Sequence, residues 1–352
     1  MIYISIILLS VFIIFIISSY NKLFKLNLEN ISTDNRKIHS QPVNRYGGLS
    51  ILSILLLLFF IEDETIRITI SFSILIFLIG FLEDIFFDIA VKIRFLLSFI
   101  FITLFVILSN LIINDFNNFF LNYIFQQSIF LFFGFSILGL VILINGFNFI
   151  DGNNGLLIGY SMLALIFFVI LSFLNAKIQD TQLIILCLSL ICAILPLLFI
   201  NAIKGKILAG DGGSYILGFL IGSIGILISN EYLIDPSLIA CVLFYPVMEV
   251  LFSFLRRLIS NKNNPFKPDS FHLHTLLYEI LLNNFNKKSI SNKNFLNSMT
   301  SFIILFFYTV LIIFSYFLYG FFTGLNIFIG LCLIYVLIYI FVRRYHSNLN
   351  SN

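Results

Sequence analysis

The 352-residue sequence has no tryptophan, six prolines, four cysteines and only 11% charged residues. Each shortage excludes something. With so few charges against 60% hydrophobic residues, no soluble domain would have enough polar surface to cover itself. Cys187, Cys192, Cys241 and Cys332 all sit inside apolar runs. They read as small core residues, not as disulfides or a metal set. There is no internal repeat and no G-x-x-x-x-G-K-[ST] stretch, so nothing points to a P-loop. No nucleic-acid partner is expected. The first apolar run lacks a basic n-region and a small-residue cleavage site, so it is expected to stay as a helix and not to leave as a signal peptide. The 45 phenylalanines read as compositional bias and carry no function.

What is abundant is long hydrophobic sequence. Apolar runs recur at about 2–20, 48–61, 66–82, 95–113, 128–144, 156–174, 181–200, 214–229, 236–254, 297–318 and 325–342. Most are long enough to cross about 30 Å of hydrocarbon as a helix. In lipid the backbone must satisfy itself within the segment, which selects helices. The expectation is an all-α polytopic integral membrane protein with about eleven transmembrane helices. Every Lys and Arg except Arg67 and Lys177 falls on one side of that arrangement. The positive-inside rule then puts the N-terminus outside and the C-terminus in the cytosol. Residues 1–352 read as one transmembrane catalytic domain, its active-site loops near 21–47, 83–94, 145–155, 201–213 and 255–296. The expected location is the cytoplasmic (inner) membrane, multi-pass, with the site on the cytosolic face and membrane lipid around it.

The polar motifs all fall on that face. "NGFNFIDGNNGL" (145–156) spaces Asn145, Asn148 and Asp151 at i, i+3 and i+6, one flank of a helix if the fifth span runs on. "GDGGSY" sets Asp211 just before a helix expected to start near Ser214. A helix start is a seat for phosphate, and an Asp beside phosphate asks for an intervening cation such as Mg2+. "LEDIFFD" offers Glu83, Asp84 and Asp88 at a span end. One acid would bind metal or orient groups while another accepts a proton; plain boundary acids are the alternative. Lys92 reads as an anchor, and Arg94 follows it. His272 and His274 lack a third metal ligand nearby, which argues against zinc. Phosphate or proton handling and an ordinary loop pair both remain for them, and for His39 beside Arg36 and Lys37.

Five blocks in order carry a resemblance: "RKIHSQPVNRYGGLSI", "GFLEDI", "NGFNFIDGNNGL", "GDGGSYILG" and "HLHTLLY", with "YPVMEVLFSFLRR" before the last. The sequence resembles the polyprenyl-phosphate N-acetylhexosamine-1-phosphate transferases (glycosyltransferase family 4), relatives of the phospho-MurNAc-pentapeptide transferases. The resemblance implies that a UDP-N-acetylhexosamine and a polyprenyl (undecaprenyl) phosphate give polyprenyl-diphospho-sugar and UMP, with Mg2+ or Mn2+. It implies that Asn148 and Asp211 hold the metal, with Asp211 also catalytic. Asn154 takes a uracil-contacting position that is often Asp in relatives. Arg94, His272 and His274 reach the phosphates. Arg36, Lys37, His39, Asn145 and Asp151 belong to the substrate site. Glu83 and Asp84 match an acidic pair, usually Asp-Asp, that serves the lipid phosphate, Asp84 being the nearer match. Thr275 stands where many members have His, and the "HHHFE"-like block of the peptidoglycan branch is absent. A homodimer is left open.

The rival reading is a polytopic membrane transporter. Such proteins place ionisable groups near mid-membrane or in broken helices. Here Lys, Arg, Asp and Glu avoid span centres, and Pro196 and Pro246 are expected at most to kink their spans. A non-catalytic scaffold would leave the acids and amides unexplained.

Overall fold

The computed structural model describes residues 2–24, 43–59, 62–86, 89–174, 181–259, 271–285 and 290–351. They form helices and no strand. In chain order the helices are α1 (Ile2–Phe24), α2 (Gly48–Leu58), α3 (Glu64–Phe86), α4 (Val91–Ser109) and α5 (Phe119–Phe125). Next come α6 (Ile129–Ile150), α7 (Leu156–Leu174), α8 (Thr181–Lys204), α9 (Gly210–Glu231) and α10 (Pro236–Val242). The last four are α11 (Phe244–Ile259), α12 (Leu273–Phe285), α13 (Ile290–Leu318) and α14 (Gly324–Ser351).

Among the described residues eight helices are long and apolar enough to cross a membrane, or nine if α10 and α11 count as one bent span. The protein is an all-α polytopic membrane protein. Each apolar run delimited in the sequence contains a helix, although the helix of the run at 95–113 ends at Ser109 and the run at 236–254 breaks at Leu243. Helix α2 is shorter than a full crossing, whereas α1 runs for 23 residues. Two helices were not delimited as spans, α5 and α12; both are short.

Helix α9 is the axis of the bundle. It is buried at every position from Gly210 to Ser229, with α3 and α6 as its main neighbours and α7, α2 and α10 also against it. That explains a sequence that is apolar all round and not on one face. The lipid-facing helices α4 and α14 instead leave Leu104, Leu108, Leu333 and Leu337 exposed, as a membrane protein can.

Pro246 does more than kink its span. The chain breaks between α10 and α11 and turns by 76°. Pro246 has no N–H to return to the carbonyl of Val242, four residues back. An orphan carbonyl in an apolar interior costs free energy until it finds a donor. It finds two: the hydroxyls of Tyr160 on α7 and Tyr308 on α13 donate to it at 2.7 and 2.8 Å. Both tyrosines are buried. Either Tyr160→Phe or Tyr308→Phe alone should cost about 1 kcal/mol, since one donor remains, whereas the double variant should cost more than the sum, adding about 1–3 kcal/mol for the orphaned carbonyl. Thermal unfolding of the four proteins in detergent measures this, and strict additivity would mean the break is held by packing alone. Pro196, by contrast, lies inside α8, which continues through it.

Candidate active site

Helix α9 opens on Gly210-Asp211-Gly212-Gly213, earlier than the start near Ser214 read from the sequence. The first N–H groups of a helix have no intrahelical acceptor. Sequence alone offers them to phosphate; the structure gives them carboxylates. Asp84 Oδ1 accepts from the Asp211 N–H at 3.0 Å and Oδ2 from the Gly212 N–H at 2.9 Å. Asp151 Oδ2 accepts from the Gly210 N–H at 3.0 Å. Negative side chains at the positive end of a helix dipole are stabilising, and these two fix where Asp211 stands. Asp84 is 1% exposed, so it serves this helix start and does not face outward. Gly80 permits the reach: a side chain there would run into the backbone of Asp211, so α3 and α9 touch backbone to backbone one turn before Asp84.

The other side of the site comes from the segment before α2. The Asn44 N–H donates to the Lys206 carbonyl at 3.0 Å, and the Leu208 N–H to the Asn44 carbonyl at 2.8 Å. This short parallel bridge delivers Arg45 to the start of α9. At Gly210 φ is +77°, and a Cβ would strike the Arg45 carbonyl; glycine alone allows the approach. Arg45 Nε then lies 3.2 Å from Asp84 Oδ1, and its Nη2 bonds Asp211 Oδ1. Arg94 Nη1 bonds Asp211 Oδ2, while its Nη2 lies 3.8 Å from Glu83. Glu83 also accepts from the Ile89 N–H at 3.0 Å. So Asp211 sits between two guanidiniums, each with a second acid behind it. Burial pushes the Asp151 carboxyl well above the usual range; Arg45 opposes this, and Asp211 and Asp84 add to it.

Asn148, in the last turn of α6, joins the same group. Ser214 Oγ lies 3.3 Å from Asn148 Oδ1 and 3.1 Å from the Asp211 carbonyl oxygen. Asn145 does not join: its side chain turns back to the Val141 carbonyl at 2.8 Å. The loop after Asp151 is pinned through its backbone, Asn154 N–H to Asn297 Oδ1 at 3.0 Å and Gly155 N–H to Asn201. The side-chain amides of Asn153 and Asn154, each 1% exposed, have no hydrogen-bond partner. Buried amides normally find one, so both amides leave donors and acceptors unmet. Arg36, Lys37, His39 and Asp88 lie outside the described residues.

Could this group hold a divalent cation? Among the described residues no three His, Cys, Asp or Glu side chains gather in metal-binding fashion. That disfavours a cage such as zinc or calcium takes. Mg2+ differs: one or two carboxylates suffice, because water and substrate phosphates complete its shell. Asp211, Asn148 and Ser214 supply hard oxygen donors only. Four acids, Glu83, Asp84, Asp151 and Asp211, face two guanidiniums, an acid excess that suits a dication. The donor set fits Mg2+ or Mn2+.

The histidines form a second group at the same end. His272 Nδ1 is 2.9 Å from Glu249 Oε2 on α11, and the two imidazoles stack with centroids 5.5 Å apart. The ring of Phe149, next to Asn148, meets His272 edge-on at 5.1 Å. His274 is not a loop residue; it lies in the first turn of α12 and is 2% exposed. Burial pushes its imidazole down to about 4, with Glu249 opposing and His272 adding to the fall. As pH falls through about 6.5 the unfolded chain takes up a proton here and the native state does not. The native state should therefore lose stability steadily from about pH 6.5 down to about 4, and His274→Gln should flatten that part of the curve. Unfolding midpoints against pH for both proteins check this; an unchanged slope in the variant would exclude His274 as the cause.

Two residues of these groups were missed as site residues. Arg45 lies inside the motif block "RKIHSQPVNRYGGLSI" but was not singled out there, since its role depends on the tertiary bridge at Asn44. Glu249 did carry one: it is the lone acid inside an apolar run, and an ionisable residue in a membrane helix calls for a partner.

Comparison with known proteins adds the following. Residues 66–229 match the model of the glycosyl transferase family 4 proteins. The undecaprenyl-phosphate alpha-N-acetylglucosaminyl 1-phosphate transferase of Escherichia coli (strain K12) is 34% identical over 142 residues, 38% of this chain and 37% of that protein. The protein of that name from Thermotoga maritima is 31% identical over 140 residues, 40% of this chain and 41% of its own length. A probable undecaprenyl-phosphate N-acetylglucosaminyl 1-phosphate transferase of Bacillus subtilis is 32% identical over 143 residues, 40% of this chain and 38% of its own. The chain thus spans about two fifths of the length of the curated relatives it matches.

Proposed function

We propose that this chain, which is similar to the glycosyl transferase family 4 proteins over residues 66–229, transfers an N-acetylhexosamine 1-phosphate from a UDP-sugar to undecaprenyl phosphate. The products are undecaprenyl-diphospho-sugar and UMP. This is the first membrane step of a cell-surface glycan pathway. The observation that carries the reading is the convergence of Asp211, Arg45, Arg94 and Asn148 on the start of α9 at one end of a membrane bundle.

An oxygen of the lipid phosphate attacks the β-phosphorus of the donor, and the bond to the UMP oxygen breaks. Two anions must meet, so positive charge has to stand between them. Bound Mg2+ supplies charge compensation and polarises the phosphoryl oxygens. Asp211 and Asn148 would hold it, with Ser214 joining them. Arg45 and Arg94, released in part from Asp211, are placed to meet phosphate oxygens. Asp84 and Asp151 hold the start of α9 and so fix Asp211. The unpartnered amides of Asn153 and Asn154 offer donors and acceptors to a nucleobase. An apolar cavity of about 460 Å3 borders Leu140, Leu143, Gly222, Ile239, Leu243 and Val247. It lies along α6 at the break between α10 and α11 and suits the isoprenoid chain. The segregation of Lys and Arg supports a cytosolic site on the inner membrane.

Release of UMP from a panel of UDP-sugars, with undecaprenyl phosphate and Mg2+ added to the purified chain, tests the proposal. No release with any sugar, alongside uptake of a nucleotide sugar into vesicles, would replace it with transport.

A further inference from the structure

Glu249 occupies an expensive place. It is 0% exposed in α11, within a run of apolar residues. A buried carboxylate adds little to stability compared with a packed apolar side chain, and becomes costly when its partner is lost. Its surroundings suggest another reason for it. His272 donates from Nδ1 at 2.9 Å, and His274 Nδ1 stands 3.9 Å from the second carboxylate oxygen. The hydroxyls of Tyr245 and Tyr335 face the same carboxylate. Ser253 Oγ lies 3.5 Å from His272 Nδ1, and Arg256 reaches the Phe271 carbonyl at 2.6 Å from the same helix. Tyr339 of α14 donates to that carbonyl at 3.0 Å. The residue before His272 is thus clamped by its backbone, and the ring of His272 is held at one nitrogen.

We propose that Glu249 is a positioning residue for His272: by accepting the hydrogen bond from Nδ1–H it fixes the tautomer and the ring plane, so that Nε2 presents its lone pair to the P–OH hydrogen of a protonated substrate phosphate. This rests on the transferase reading. The geometry behind it is the 2.9 Å contact, together with Phe149, which packs His272 one residue away from Asn148. In a neutral imidazole only one nitrogen carries hydrogen, so a carboxylate on Nδ1 decides the character of Nε2. His274 stacks parallel to the ring of His272, with centroids 5.5 Å apart.

Two measurements on the full chain in detergent test the proposal. The first is side-chain 15N NMR, with the His272 signals identified by their loss in His272→Ala. The wild type should show a protonated Nδ1, and Glu249→Leu should move His272 to the Nε2–H form. Identical spectra would overturn the pairing. The second is a double-mutant cycle on UMP release. Glu249→Gln keeps the shape and should lower kcat by about 100-fold, and in the His272→Ala background it should cost less than about twofold. Additive losses would overturn action through His272 and leave Glu249 a structural residue. If the wild type releases no UMP, the transferase reading falls, and with it the phosphate role of Nε2; the NMR arm still decides the pairing.

Discussion

Asp211→Asn should cut UMP release by at least about a thousandfold, since charge compensation at a transferring phosphoryl group supplies several kcal/mol. The substitution keeps the volume and the start of α9. It removes the charge that both Arg45 and Arg94 hold, one carboxylate oxygen each. The guanidiniums do not become orphans, because Asp84 lies 3.2 Å from Arg45 and Glu83 lies 3.8 Å from Arg94. Loss of stability should therefore stay below the roughly 3–5 kcal/mol typical of stripping a buried charge of its only partner. That separation makes the variant informative. Turnover near the wild-type level in a folded Asp211→Asn protein would refute the metal assignment, whereas unfolding would show that Asp211 is chiefly a clamp for the two arginines.

Asp84→Asn should behave otherwise. Read from its position in the sequence, Asp84 ends a span where a lipid headgroup arrives, so donor binding would survive its loss. The geometry argues for a broader effect. Both Asp84 oxygens accept backbone N–H groups of α9, and one also pairs with Arg45. An asparagine has one acceptor oxygen, so an N–H of Asp211 or Gly212 would face a second donor. The expected cost is about 3 kcal/mol of stability from the lost pair and the unmet amide together. Asp211 would shift with the helix start, and UDP-sugar affinity should fall together with turnover. Calorimetry of donor binding beside turnover reads both. Donor affinity preserved while turnover collapses would restore a direct role on the lipid phosphate.

The contrast shows what the sequence made legible. Span positions came from hydropathy because lipid imposes a strict rule on each segment separately. The membership of Asp84, Asp151, Asp211, Arg94 and Asn148 in one cluster came from motif order, and the fold brings these five together. Their division of labour was not legible. Whether the N–H groups of α9 face phosphate or carboxylate depends on how closely α3 approaches at Gly80, and that is a tertiary fact. Arg45 was hidden for the same reason: a bridge between Asn44 and Ile207 places it, and neither segment has a strand pattern of its own. Glu249 was legible and overlooked, since a single acid in an apolar run is itself the signal. Pro246 read as a kink because the hydroxyls that meet the Val242 carbonyl lie 66 and 82 residues from Val242 in the chain.

Those separations set an order of events during synthesis. When Val242 leaves the ribosome, Tyr160 has already left it, but Tyr308 follows 66 residues later in the chain. At about 5–20 residues per second, the bend waits some seconds, on the order of three to thirteen, with half of its final complement of hydroxyls. Until α13 enters the bilayer, α10 and α11 are two short segments held at an angle by one bond from α7. The active-site end, whose His272 follows α11, therefore takes its shape only when the last helices of the chain have joined the bundle. A polypeptide released before Tyr308 would carry every residue of the catalytic cluster and lack the hinge pin that sets them.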